Sequence, residues 1–130
     1  MILLDTNIII DYWKYPNDKK KDFLKNNKCC ICGIVIAELL RGARSDKDSQ
    51  RIRTALQSFE NVSFREEFWP ELGDMLYNLK GNGFTMPIQD VIIALLAMRY
   101  NLSVATYDVH YKHIQEVYPI LQLSEVPEKG

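Results

Sequence analysis

The chain has 130 residues, of which 47% are hydrophobic and 25% charged, with a net charge of −1. These values exclude a disordered or fibrous chain and leave room for one sizeable core, so a single domain over residues 1–130 is expected. The longest apolar stretch, Val91 to Met98, is too short to span a bilayer, and the N-terminus has no basic region leading into a long apolar run. No membrane association and a cytoplasmic location are expected.

The balance of −1 hides an asymmetry. Residues 1–56 carry 11 Lys+Arg against 7 Asp+Glu, and residues 57–130 carry 5 against 10. A basic half can meet an anionic partner, although the run Lys14 to Lys25 also reads as the solvated face of a helix. Cys29, Cys30 and Cys32 are odd in number and crowded, and neighbouring strand residues point to opposite faces, so they read as reduced, buried thiols.

In chain order, MILLD has the look of a short strand buried on both faces, and it runs into Asp5. A short helix from Asn7 to Trp13 is broken at Pro16, and a second follows over about Asp18 to Asn26. Cys29 to Cys32 form a strand and Val35 to Arg44 a helix ending near Gly42. Another helix, capped by Asp46 or Asp48, runs to Phe59. Asn61 to Phe64 are a weak strand, and a helix from about Glu66 to Lys80 stops at the Gly81–Gly83 segment. Pro87 suits the first turn of a helix running through Arg99 that is apolar almost all round and therefore central. Ser103 to Thr106 form a fourth strand, Val109 to Val117 a helix, and Ile120 to Leu123 a fifth strand.

Short strands alternating with helices predict a mainly parallel sheet of four or five strands covered on both faces. Such folds build their sites outside the carboxyl ends of the strands, where strand order reverses. Asp5 ends the first strand and Asp108 follows the fourth. Glu38 sits among apolar residues in IVIAELL, and Asp90 lies in the first turn of the most hydrophobic helix.

Each acid has a structural alternative: Asp90 complements the helix dipole, Asp108 caps a helix, and Glu38 faces solvent. Converging at one sheet edge, however, they would repel strongly. Two unit charges about 4 Å apart cost around 4 kcal/mol at an effective dielectric of 20. Either a cation sits among them or some of them hold protons. Oxygen ligands favour Mg²⁺ or Mn²⁺ over zinc, and His110 and His113 read as surface or core residues rather than a zinc site. There is no phosphate-binding P-loop, dinucleotide fingerprint or nucleophile elbow.

The segments LLDTNIIID, VIAELLRGA, PIQDVIIALLA and VATYD together resemble the four acidic blocks of the PIN-domain ribonucleases. At this length the chain is similar to the VapC-type toxins of bacterial and archaeal toxin–antitoxin pairs. The resemblance covers Met1 to about Leu123. It implies an α/β/α sandwich and Mg²⁺- or Mn²⁺-dependent endonuclease activity on RNA of the tRNA or ribosomal class. By this resemblance Asp5 and Asp90 are the most direct metal ligands, and Glu38 and Asp108 hold metal-bound waters or a second ion. Thr6, Asn7 and Thr106 match the positions that orient the site. An aromatic after the fourth acid is common in the family; the last block departs slightly, its DVHY offering Tyr111.

Arg41, Arg44, Arg51 and Arg53, with Lys19 to Lys21, are candidates for phosphate contacts, or else ordinary solvated residues. The resemblance further implies a homodimer and an antitoxin covering the active-site groove, for which Tyr12, Trp13, Phe23 and Leu24 are candidates unless they belong to the core. The rival reading is a non-catalytic, metal-binding PIN-like module that binds a protein partner. A receiver domain is disfavoured because no lysine falls between Arg99 and Lys112, and an aspartyl phosphatase because Asn7 stands where its second acid would be.

Overall fold

The computed structural model describes residues 1–130 as five strands and seven helices. In chain order they are β1 (Ile2–Leu4), α1 (Thr6–Lys14), α2 (Asp18–Asn26), β2 (Cys29–Cys32), α3 (Gly33–Arg41), α4 (Asp46–Leu56), β3 (Glu60–Val62), α5 (Phe68–Gly81), α6 (Ile88–Arg99), β4 (Ser103–Ala105), α7 (Tyr111–Val117) and β5 (Gln122–Leu123). All pairings are parallel, and the order across the sheet is β3-β2-β1-β4-β5. This is the expected α/β architecture, with the fifth strand present.

The chain moves outward from β1 through β2 to β3, then crosses back to β4 on the other side of β1. With right-handed crossovers, the first four helices cover one face and the last three the other. Helix contacts follow that division: α3 packs on α1 and α4, while α5, α6 and α7 pack on one another. The order reverses between β1 and β4, so a crevice opens at their carboxyl ends. Asp5 leaves β1 there with its N–H bonded to the Ala105 carbonyl at 2.9 Å.

The core is built from the strands and the apolar helix faces. Leu3, Leu4, Cys30, Ile31 and Val104 are fully buried, as two-sided coverage of parallel strands requires. Along α6 every residue from Val91 to Ala97 is buried, which makes it the central helix its composition implied. All three cysteines are buried and unpaired. Burial, then the neighbouring Cys29, pushes the Cys30 thiol up to about 11, which makes it a poor nucleophile.

Element boundaries differ from expectation for local reasons. Ser45 caps α4, its side chain accepting the Asp48 N–H, rather than Asp46 or Asp48. Pro87 is the cap of α6 rather than part of its first turn. The third strand starts at Glu60 and ends at Val62, in register with Cys30 to Cys32. The last helix starts at Tyr111, since Asp108 accepts the His110 N–H and holds the chain in a turn before it.

The Lys14 to Lys25 run departs most from its reading as a solvated face. Lys20 is buried, with its ammonium 2.8 Å from the Asp11 carboxylate of α1 and bonded to the Tyr15 carbonyl.

Candidate active site

Asp5 caps α1 through its side chain, which accepts the Thr6 N–H at 2.8 Å. Its second oxygen accepts the Thr106 hydroxyl at 2.8 Å and the Asn7 amide at 3.4 Å. The carboxylate is thus pinned by groups from both strand ends that flank the crevice. Asn7 completes the bridge: its amide also reaches the Thr106 hydroxyl, and its carbonyl accepts the Tyr107 N–H at 3.1 Å. Thr106 accepts the Asp108 N–H at 3.0 Å.

Glu38 comes from α3, which follows β2, and its Oε1 accepts the Thr6 hydroxyl at 3.0 Å. Asp90 comes from the first turn of α6, and Asp108 from the segment after β4. All three are partly buried. Asp5 and Asp90 sense the charges of the other acids. Burial first, then the charges of Asp5 and Asp108, push Asp90 up to about 6, with His110 opposing and Glu38 adding to the rise. Asp5 is also raised, by burial above all, with Glu38 and Asp108 adding to it against the hydrogen bonds from Thr106 and Thr6.

The donor set fits a hard divalent cation. Asp90, Asp108 and His110 each offer a ligand atom within 4.8 Å of the others, a spacing that lets them address one ion. Asp5 stands outside that closest set, its oxygens engaged by Thr6, Asn7 and Thr106. Tyr111 adds a second indication of unspent polarity. It is fully buried, its hydroxyl has no hydrogen-bond partner, and burial followed by the charges of Asp5, Asp90 and Asp108 pushes its ionisation well above the usual range.

A family model described as PIN domain matches residues 2–117. The chain belongs to the PIN-domain family. Among curated proteins this PIN domain is 28% identical over 116 residues to Ribonuclease VapC1 of Methanocaldococcus jannaschii, covering 88% of this chain and 82% of that one. Among solved structures it is similar to VapBC2 from Rickettsia felis bound to a promoter DNA fragment (27% identity, TM-score 0.79, 95% of this chain and 98% of that one). It is also similar to VapBC-1 from nontypeable Haemophilus influenzae (25% identity, TM-score 0.80, 96% and 98%).

The basic residues divide. Arg44 and Arg51 line a cleft of about 550 Å³ shared with Glu38, Trp13 and Lys14. Arg41 is exposed outside that lining, and Arg53 bonds Ser49 on its own helix. Lys20 is removed from the surface altogether. Tyr12 and Trp13 line a neighbouring cavity with Pro16 and Ile52, whereas Phe23 and Leu24 pack against the core.

Two features escaped sequence reasoning. His110 stands in the acidic cluster rather than apart from it; its spacing of two from Asp108 was the available signal. Tyr107 donates its hydroxyl to the Pro127 carbonyl at 2.9 Å and approaches Asp11 at 3.4 Å. It thereby ties the Thr106–Asp108 segment to the C-terminal residues, and no local pattern announces such a contact. No helix is long and apolar enough to cross a membrane.

Proposed function

We propose that this PIN domain, acting as one unit over residues 1–130, is a metal-dependent endoribonuclease and the toxin of a toxin–antitoxin pair working in the cytoplasm. The observation that supports this most is the electrostatic coupling of Asp5, Glu38, Asp90 and Asp108 at the crevice between β1 and β4. Carboxylates drawn from four parts of the chain converge there, and burial together with the neighbouring charges raises the proton affinity of Asp5 and Asp90, a cost that makes sense where a cation offsets it.

Asp90 and Asp108, with Asp5 beside them, would hold the ion, Mg²⁺ or Mn²⁺, with Glu38 facing it and His110 at the rim next to Asp108. A divalent cation there supplies charge neutralisation at the scissile phosphate and acidifies water. Thr6 holds Glu38 through Oε1, which leaves Oε2 to accept the proton of the attacking water. Thr106 and Asn7 keep Asp5 and the Asp108 backbone in register with each other. Lys14, Arg44 and Arg51 line the cleft beside Glu38 and would carry the RNA backbone past the acids, while Arg41 would reach it only at the rim.

Kinship with Ribonuclease VapC1 supports RNA as the substrate, and the likeness to VapBC complexes supports an antitoxin partner; the homodimer is carried by the family resemblance alone. The antitoxin would cover the cleft near Tyr12 and Trp13.

The test is cleavage of a mixed tRNA and ribosomal RNA pool with Mn²⁺, beside a chelator control and Asp5→Asn. Discrete fragments needing both metal and Asp5 are expected. No cleavage by folded, antitoxin-free protein would favour a non-catalytic module instead.

A further inference from the structure

On its His110 side the acidic cluster continues into a ladder of flat rings. The ladder starts from a hydrogen-bonded turn. Helix α5 stops in a Schellman arrangement, in which Gly83 (φ +88°) donates to the Lys80 carbonyl and Phe84 donates to the Leu79 carbonyl. That turn folds Phe84 back, and its ring stacks on His113 with centroids 4.8 Å apart and planes within 12°. His113 is followed, one helical turn earlier, by His110, at 6.0 Å and 29°. His110 then meets the cluster through Nδ1, which lies 3.2 Å from Asp108 Oδ1.

The last ring is open. The His110 side chain is 56% exposed, although the two rings behind it are partly buried. An imidazole placed between an aromatic stack and a carboxylate presents a flat face to solvent beside the acidic cluster.

We propose that this face of His110 is a stacking platform for a nucleobase of single-stranded RNA, next to the phosphate that a cation at Asp90 and Asp108 would hold. The inference rests on the ribonuclease reading and adds a base-binding subsite to it. Any phosphate bound through a cation at those acids would bring an adjoining base within one nucleotide's reach of the ring. Only an unpaired segment can turn its base out to be stacked on an aromatic side chain, because a duplex keeps its bases covered. Stacking accepts every base, since each has a π-face. The platform therefore selects for single-strandedness more than for sequence.

The experiment uses the cleavage-impaired Asp5→Asn protein and a short single-stranded RNA alternating 2-aminopurine with uridine, whose fluorescence falls when 2-aminopurine stacks. Binding is expected to quench it. Adding His110→Asn should weaken binding about tenfold and abolish the quenching, whereas His110→Phe should preserve both. Unchanged affinity and quenching in His110→Asn would overturn the platform. So would equal losses in His110→Asn and His110→Phe, because the ring nitrogen rather than the ring face would then matter. Failure of the His110-intact protein to quench would overturn it as well. Cleavage by the unsubstituted protein judges the other reading separately: cleavage without quenching keeps the ribonuclease and loses the platform, and quenching without cleavage does the reverse.

Discussion

The Lys20 ammonium lies 2.8 Å from Asp11 Oδ2, with the two side chains only 3% and 4% exposed. The pair joins α1 to α2; Lys20 also donates to the Tyr15 carbonyl, and Asp11 also accepts the Gly130 N–H and the Tyr107 hydroxyl. Both charges are desolvated, so removing one leaves the other stranded. Lys20→Met alone should cost about 3–5 kcal/mol in urea unfolding, and Lys20→Met with Asp11→Leu should recover most of it. Additive losses would show that the pair is not coupled.

The same pair sets an acid limit. Burial by itself raises the Asp11 carboxyl, but the Lys20 and Gly130 hydrogen bonds, the Lys20 charge and Tyr107 outweigh it and hold it below the usual range. A depressed carboxylate contributes stability above its unfolded value, and that contribution is lost as pH falls through the folded one. Stability should therefore drop below about pH 4, and the double variant should lose that part of the drop.

Asp90 behaves in the opposite sense. Its folded value of about 6 exceeds the ordinary 3.8, so its contribution is full below the ordinary value and is lost as pH rises through 6. In chelator, melting temperature should fall between about pH 4 and 6, and Asp90→Asn should flatten that fall and be the more stable protein at neutral pH. Mn²⁺ at about 100 times its dissociation constant should stabilise the parent by about 2.7 kcal/mol. A metal response undiminished in Asp90→Asn would place the ion elsewhere.

Arg44 lines the cleft beside Glu38 and is exposed, a setting for phosphate contact rather than packing. Arg44→Ala should weaken single-stranded RNA binding to a similar extent across sequences, and reduce the salt slope by about 0.7. A slope equal to the parent's in a salt titration would remove Arg44 from the backbone path.

The Tyr111 hydroxyl is buried with no partner. An unsatisfied buried group of this kind is a cost, so Tyr111→Phe should raise stability by about 1 kcal/mol in chelator. A comparable loss would mean that the hydroxyl is bonded in solution.

What could be read along the chain was whatever neighbouring residues decide among themselves. Apolar runs bounded by Gly, Pro and Asp marked β1, β2 and β4, and unbroken hydrophobicity marked α6 as central. Carboxylates abutting such segments are so costly to bury that Asp5, Glu38, Asp90 and Asp108 stood out. Helix and strand ends were less legible, since the Ser45 cap and the turn at Asp108 depend on single hydrogen bonds. The rest was decided only by folding. The strand order brings Asn7 and Thr106, 99 positions apart, within 3.3 Å. Packing turns Lys20 from a surface charge into a buried one and sets Phe84 and His113 face to face. Contacts between distant segments leave no local periodicity, because the partner that makes each residue's position favourable lies elsewhere in the chain.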